Sequence, residues 1–197
     1  MKKISAILSI AVLAFTMCSP KARVTTLDGF LQRYSQEFLK GSPYKLLVKD
    51  DANGFAAISH CVGHFAYEGE CADFPKRVDA AMWRTATGDI IWGVYQYGCG
   101  GGGCWGDLDS LRFYDTSLRD ITPNVYDRTE VDNLATAAKI HDPNGVSLPA
   151  DKRNFMIDIP RVGTTIKMTV GVVFIDWKEF AELQFDKTTG KFRLVAK

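Results

Sequence analysis

The sequence has few of the features that mark common hydrolases or nucleic-acid-binding proteins. It contains only three histidines and no G-x-S-x-G stretch, so a Ser-His-Asp catalytic arrangement has no support. Basic and acidic residues nearly balance, at 24 and 23, and they form no block of one sign. A chain without a basic patch lacks the electrostatic basis for binding nucleic acid. We therefore predict no nucleic-acid partner.

The N-terminus carries an apolar run, but this run is shorter than a membrane-spanning helix requires. Lys2 and Lys3 precede about a dozen apolar residues within residues 1–17, which is the layout of an export signal and too short for a permanent membrane helix. Without this segment the chain has 22 basic and 23 acidic residues, a formal charge of −1. We therefore exclude residues 1–17 from the predicted fold.

Cys18 stands where the apolar run ends, and this arrangement resembles a bacterial lipoprotein signal. The resemblance covers these residues only. It implies an exported protein of the periplasm or outer cell envelope, held at the membrane only by lipid on Cys18, with residues 18–24 as a linker. Ordinary signal cleavage after residues 14–16 and an uncleaved anchor are the alternatives.

The remainder of the chain has the composition of one globular domain. The full sequence has 197 residues, of which 46% are hydrophobic and 12% aromatic. These values are typical of a chain that can bury a substantial core. We predict a single domain over residues 25–197.

Four cysteines follow Cys18, namely Cys61, Cys71, Cys99 and Cys104. An even number of cysteines in an exported chain favours disulfides over a metal site. Four cysteines allow three pairings, and the glycines at 100–103 favour the local one, because glycine tolerates the sharp reversal that a short ring requires. A zinc site and free thiols are the alternatives.

The stretch "CGGGGC" does not match the glycine motifs that hold phosphates. A phosphate-binding loop continues with Lys and then Ser or Thr before a helix, whereas Cys104 is followed by Trp105, Gly106 and Asp107. We predict a disulfide-closed hairpin tip here, and no cofactor.

Hydrophobic spacing predicts an α+β fold. An amphipathic helix is predicted over 25–40, and a second short helix within 127–142, because apolar residues recur there at helical spacing. Most of the remaining chain alternates with a period of two, which predicts a mostly antiparallel β-sheet packed against the N-terminal helix. Strands are expected near 89–98, 108–115 and 118–122, among others. The strand at 89–98 is apolar on both faces and is predicted to be central.

Two imidazoles and three carboxylates lie close together in sequence around the first two cysteines of the domain. Such a group can ligate a divalent metal, which makes a metal-dependent hydrolase the alternative functional hypothesis. The simpler interpretation is a polar loop closed by a disulfide, and we predict no metal. Activation of Cys61 as a nucleophile would require a reduced thiol. The five residues are His60, His64, Glu68, Glu70 and Asp73.

The most suggestive binding feature is aromatic. Tyr95 and Tyr97 share one face of the predicted central strand, Trp105 follows the glycine run, and Asp107 and Asp109 lie on one side of the next predicted strand. Flat rings with nearby carboxylates suit a sugar or a peptide, although core packing also explains the tyrosines. We therefore predict a non-enzymatic binding or interaction module whose ligand is a glycan or a peptide.

Overall fold

The computed structural model of the chain describes residues 22–61, 75–100, 103–138, 140, 153–171 and 177–197. The described residues include the helices α1 (Leu27–Phe38), α2 (Thr122–Val125) and α3 (Arg128–Ala137), and a 3₁₀ turn at Leu108–Ser110. The first strands are β1 (Tyr44–Asp50), β2 (Phe55–His60), β3 (Lys76–Arg84), β4 (Ile90–Gly100), β5 (Gly103–Trp105) and β6 (Leu111–Tyr114). The last strands are β7 (Asn154–Asp158), β8 (Thr165–Gly171), β9 (Trp177–Asp186) and β10 (Lys191–Ala196).

The described strands form two antiparallel sheets. The first has the order β1-β2-β3-β4-β5, with β6 also paired to β4, and the second has the order β10-β9-β8-β7. The mostly antiparallel, strand-rich architecture with few helices is confirmed, although the strands form two sheets where one was predicted. β4 is central, and both of its faces are buried.

Helix α1 contacts the outer face of the first sheet. The Phe30 ring is fully buried and stacks on Trp92, with the ring centroids 4.4 Å apart. Trp92 Nε1 donates to the carbonyl of Val24 at 3.2 Å, and the Val24 N–H donates to Thr116 at 2.7 Å. Val24 is itself buried. Val24, the last residue of the predicted linker, therefore belongs to the folded core.

The other face of the first sheet packs against the second sheet through a shared apolar core. At one end of this layer, which we call the apolar end, Trp83 and Phe113 from the first sheet meet Phe185 and Phe192 from the second. The Phe192 centroid lies 4.7 Å from that of Phe113 and 5.2 Å from that of Trp83. Beside these rings, the N–H of Ala86 donates to the carbonyl of Lys187 at 2.8 Å and so joins two hairpin turns.

Two predicted strands differ from the structure between β5 and α3. The strand predicted near 108–115 begins only at Leu111, because Leu108–Ser110 form a 3₁₀ turn in which the Ser110 N–H donates to Asp107. The strand predicted at 118–122 is absent, and helix α2 begins at Thr122 with Pro123 in its first turn. A proline near a helix start is favourable because its missing N–H has no partner there in any helix. The predicted second helix within 127–142 is present as α3.

Candidate functional site

The two sheets are joined at their other end by polar contacts, which we call the polar end. Gly106 forms an isolated antiparallel bridge with Phe155 of β7, with its N–H 2.9 Å from the Phe155 carbonyl. The Tyr95 hydroxyl donates to the same carbonyl at 3.2 Å. A Cβ placed on Gly106 would lie 2.5 Å from the Tyr95 hydroxyl oxygen. Only glycine therefore allows the backbone to approach the buried tyrosine so closely.

The bridge at Gly106 accompanies an interruption in the strand beside β4. Strand β5 pairs with β4 from Gly98 onward, and β6 pairs with it only up to Tyr95. Gln96 and Tyr97 consequently have no opposite residue on either strand. The segment 106–110, which contains the 3₁₀ turn, connects β5 to β6 past this gap. The gap in the ladder is the structural origin of a surface depression.

Three depressions follow one another along segment 106–110. The gap depression, of about 490 Å³, borders the uncovered part of β4. The middle depression, of about 310 Å³, shares Asp107 and Arg153 with it. The helix depression, of about 410 Å³, lies beside α2 and the start of α3 and shares Asp109 and Arg128 with the middle one. Because neighbouring depressions share lining residues, we treat them as one cleft.

The gap depression is lined mainly by polar groups. Its side chains offer both hydrogen-bond donors and acceptors, and the Tyr97 ring is its aromatic component. These groups include Lys76, Gln96, Tyr97, Ser110 and Asn154.

Arg128 separates the middle and helix depressions. Its Nη1 donates to Asp109 at 2.8 Å, and its Nε donates to Asp132 at 2.9 Å. Arg128 is the first residue of α3, whose N-cap, Asp127, accepts hydrogen bonds from the N–H groups of Thr129 and Glu130. Two carboxylates on one guanidinium fix its position and more than offset its charge.

Arg153 separates the middle and gap depressions. Its Nη1 donates to the carbonyls of Ala135 and Thr136 at 2.7 and 3.2 Å. These carbonyls belong to the last turn of α3, where backbone acceptors lack partners within the helix. Arg153 therefore joins α3 to the start of β7 and contributes a cation to the cleft.

Tyr97 connects the cleft to a half-buried acid, Asp79. Its ring stacks on Tyr95 at 5.3 Å, and its hydroxyl donates to Asp79 Oδ2 at 3.1 Å. Burial raises the pKa of Asp79 from 3.8 to about 6, against the hydrogen bond from Tyr97 and the charge of Arg77. Burial, followed by the charge of Asp79, raises the pKa of Tyr97 to about 12. The hydroxyl thus remains a donor over the physiological range, and the ring is held firmly.

The predicted aromatic platform needs correction at Tyr95. Tyr95 and Tyr97 lie on one face of β4 and their rings stack on each other, but Tyr95 is 0% exposed and therefore cannot stack on a ligand. Tyr97 is half-buried and lines the gap depression. The side chain of Trp105 lies outside the part of the chain that the structure describes.

The predicted carboxylate pair also has a different setting. Asp107 and Asp109 do not lie on one side of a strand, because the 3₁₀ turn begins directly after Asp107. Asp107 is exposed beside the gap and middle depressions, and Asp109 is paired with Arg128. Both residues nevertheless border the cleft.

His60 is buried, and its Nε2 lies 3.2 Å from the side-chain nitrogen of Gln96. Burial and the charge of Lys76 lower its pKa. The other residues of the predicted cluster, His64, Glu68, Glu70 and Asp73, lie outside the described residues. Where side chains are described, no group of three or more potential metal ligands comes together.

The disulfide prediction is confirmed at the glycine run. Cys99 and Cys104 stand opposite each other in the β4–β5 pair and form a disulfide, with their Cα atoms 4.0 Å apart. Cys61 is also disulfide-bonded. Cys18 and Cys71 lie outside the described residues.

No protein-family model matches this chain, and neither a curated protein nor a solved structure is significantly similar to it. None of the described helices has the length and apolar character needed to span a bilayer. The function proposed below is therefore inferred from the geometry of the cleft.

The sequence analysis missed Arg128, Arg153 and Asp132. The spacing of Arg128 and Asp132 within the predicted second helix was a readable signal, because residues four apart share a helix face. Nothing local to Arg153 indicated that it reaches the end of α3, which is 16 positions from it in sequence at Ala137.

Proposed function

We propose that this chain is an exported, lipid-anchored binding module of the bacterial cell envelope, and that its ligand occupies the cleft along segment 106–110. The observation that carries the proposal is the continuity of the three depressions, which share Asp107, Asp109, Arg128 and Arg153. An elongated cleft lined by fixed polar groups suits a chain-like polar ligand.

Two cations of the cleft, Arg128 and Arg153, already have structural partners, which supports binding rather than catalysis. Arg128 is held by two carboxylates, and Arg153 donates to the end of α3. A general acid or base must reach a reacting group with a suitable pKa. Asp79 has a raised pKa, but its carboxylate accepts from Tyr97 within the inter-sheet layer. The metal-dependent hydrolase gains no support from the described residues.

The anchor part of the proposal rests on the N-terminal sequence. Residues 1–17 have the layout of an export signal, and Cys18 follows them. The first described hydrogen bonds of the fold involve residues 22–24, so a lipid on Cys18 would hold the domain close to the membrane. Recovery of the protein in the soluble fraction of the cells that express it would contradict the anchor.

Filling the gap depression tests the cleft. A Cβ on Gly98 would meet no atom within 4 Å, and Gly98 lines this depression. We expect Gly98→Trp to reduce binding of any ligand found in a glycan and peptide screen by about ten-fold or more, with an unchanged melting temperature.

Two controls accompany this variant. Gly98→Ala adds only a methyl group and should retain binding. Lys191→Trp places the same large ring on an exposed position of β10 outside the cleft lining, and it should also retain binding. Full binding by Gly98→Trp would contradict the proposed cleft, and reproducible turnover of a screened compound would contradict a non-enzymatic role.

A further inference from the structure

We propose that the cleft binds a neutral oligosaccharide and that Asn154, Ser110 and Tyr97 form the subsite for one sugar unit in the gap depression. This inference rests on the proposed function, because it names the ligand class of the same cleft. It depends on the shape of the gap, on the arrangement of charges and on the fixed tyrosine.

The length of the gap disfavours a peptide bound by strand addition. An added strand gains its affinity from several successive main-chain hydrogen bonds along a free edge. Between β6, which covers Trp92–Tyr95, and β5, which covers Gly98–Gly100, β4 lacks an opposite residue only at Gln96 and Tyr97. Two residues provide too short an edge for a strand. Sugar hydroxyls bind single donors and acceptors and do not need a continuous ladder.

The side chains of the gap depression suit hydroxyl groups. The Asn154 amide can donate and accept, and so can the Ser110 hydroxyl. Both line the same depression as Tyr97. No large aliphatic side chain appears among the lining residues that the structure describes, so the depression lacks the apolar pocket that usually anchors a peptide side chain.

The balance of charge disfavours a strongly charged ligand. Lys76 and Arg153 are offset in part by Asp107 at the gap depression, and the charge of Arg128 is exceeded by those of Asp109 and Asp132. A polyanion or a polycation would meet like charges along the cleft. A neutral chain meets donors and acceptors of both kinds without repulsion.

Tyr97 supplies a preorganised ring. One side is packed on Tyr95 at 5.3 Å, and its hydroxyl is fixed by Asp79 at 3.1 Å. A ring that is already immobilised loses little entropy when a ligand packs against it. The C–H face of a sugar ring is a suitable partner because it is flat and apolar while the sugar's edges remain polar.

Binding assays with the purified protein test this inference. The probes are neutral oligosaccharides from disaccharide to hexasaccharide, sulfated oligosaccharides of the same lengths, and a library of short peptides. We expect binding to neutral oligosaccharides, with affinity rising with length until the three depressions are filled and with little dependence on salt.

Asn154→Ala should weaken this binding by about ten-fold, the effect expected from losing a buried hydrogen-bonding partner. The matched control is Asn133→Ala, which removes an exposed amide of α3 outside the cleft lining and should leave affinity unchanged. Circular dichroism melts of both variants establish that each is folded.

The outcomes separate this inference from the proposed function. If the protein binds peptides and Asn154→Ala weakens that binding, the oligosaccharide inference is overturned and the proposed cleft stands. Preferential binding of sulfated oligosaccharides would have the same two consequences. Binding of neutral oligosaccharides that neither Asn154→Ala nor Gly98→Trp weakens would overturn the site in both proposals. Absence of binding to every probe would overturn the inference as well.

Discussion

The two ends of the inter-sheet layer close in different ways. At the apolar end, Trp83, Phe113, Phe185 and Phe192 fill the space with rings. At the polar end, Gly106 brings the sheets together through hydrogen bonds to Phe155. Apolar packing is non-directional and leaves few voids, whereas directed hydrogen bonds can join two sheets and still leave a cleft beside the contact. We therefore expect the apolar end to supply most of the stability and the polar end to bind the ligand.

Loss of the central ring at the apolar end should have the largest effect. Trp83 is 4% exposed and contacts three aromatic rings. We expect Trp83→Ala to lower the free energy of unfolding by about 4 kcal/mol, because it removes buried surface and leaves a cavity. Urea denaturation followed by circular dichroism measures the change.

Trp177→Ala is the matched control, since Trp177 is 37% exposed. It should lower the free energy of unfolding by less than about 1 kcal/mol. If the two variants were equally stable, the aromatic cluster would not be the main source of inter-sheet stability. Any Trp83→Ala protein that remains folded should keep its affinity for the cleft ligand.

A methyl group at the polar end should have an intermediate effect. In Gly106→Ala the new Cβ would lie 2.5 Å from the Tyr95 hydroxyl and 3.1 Å from the Tyr97 Cβ. Tyr95 is fully buried and cannot move aside without losing its bond to Phe155. We expect a loss of about 2 kcal/mol in the free energy of unfolding, and weaker ligand binding because Tyr97 is displaced.

Gly98→Ala provides the comparison for this variant. It adds the same methyl group eight positions earlier in the chain, where no atom lies within 4 Å, and it should change stability by a few tenths of a kcal/mol at most. Equal stability of Gly106→Ala and the parent protein would show that the polar end tolerates a wider spacing than the structure has.

The sequence predicted the elements of this fold better than their association. Three features could be predicted because each depends on neighbours in the chain. They are the apolar run of β4, the helical spacing of α1 and the cysteines on either side of the glycine run. The division into two sheets could not be predicted, because β7 meets Gly106 through a contact between residues 49 positions apart in the sequence. The same limit explains the site: Tyr97 was found by its position on a strand, whereas Arg153 reaches the cleft through a helix end that is distant in sequence.

Asp79 offers the finest test of the comparison, because it is an ionisable group within the polar end of the layer. Burial raises its pKa to about 6 in the folded protein, and the nearby charge of Asp158 adds to the increase. The folded state therefore holds the proton more tightly than the unfolded state, where the pKa is 3.8. The contribution to stability is complete below about pH 4 and is lost as the pH rises through 6.

Asp79→Asn should remove this pH dependence. The amide oxygen can still accept from the Tyr97 hydroxyl, whereas the charge is gone, so the variant should be more stable than the parent at pH 7 by about 2 kcal/mol and nearly equal to it at pH 4. Asp158→Asn should shift the parent's profile in the same direction by less, because it removes only a neighbouring charge. Urea denaturation over pH 4 to 8 measures all three proteins. A difference between Asp79→Asn and the parent that stays constant with pH would mean that the carboxyl titrates normally, and that the polar end is open to water where the apolar end is dry.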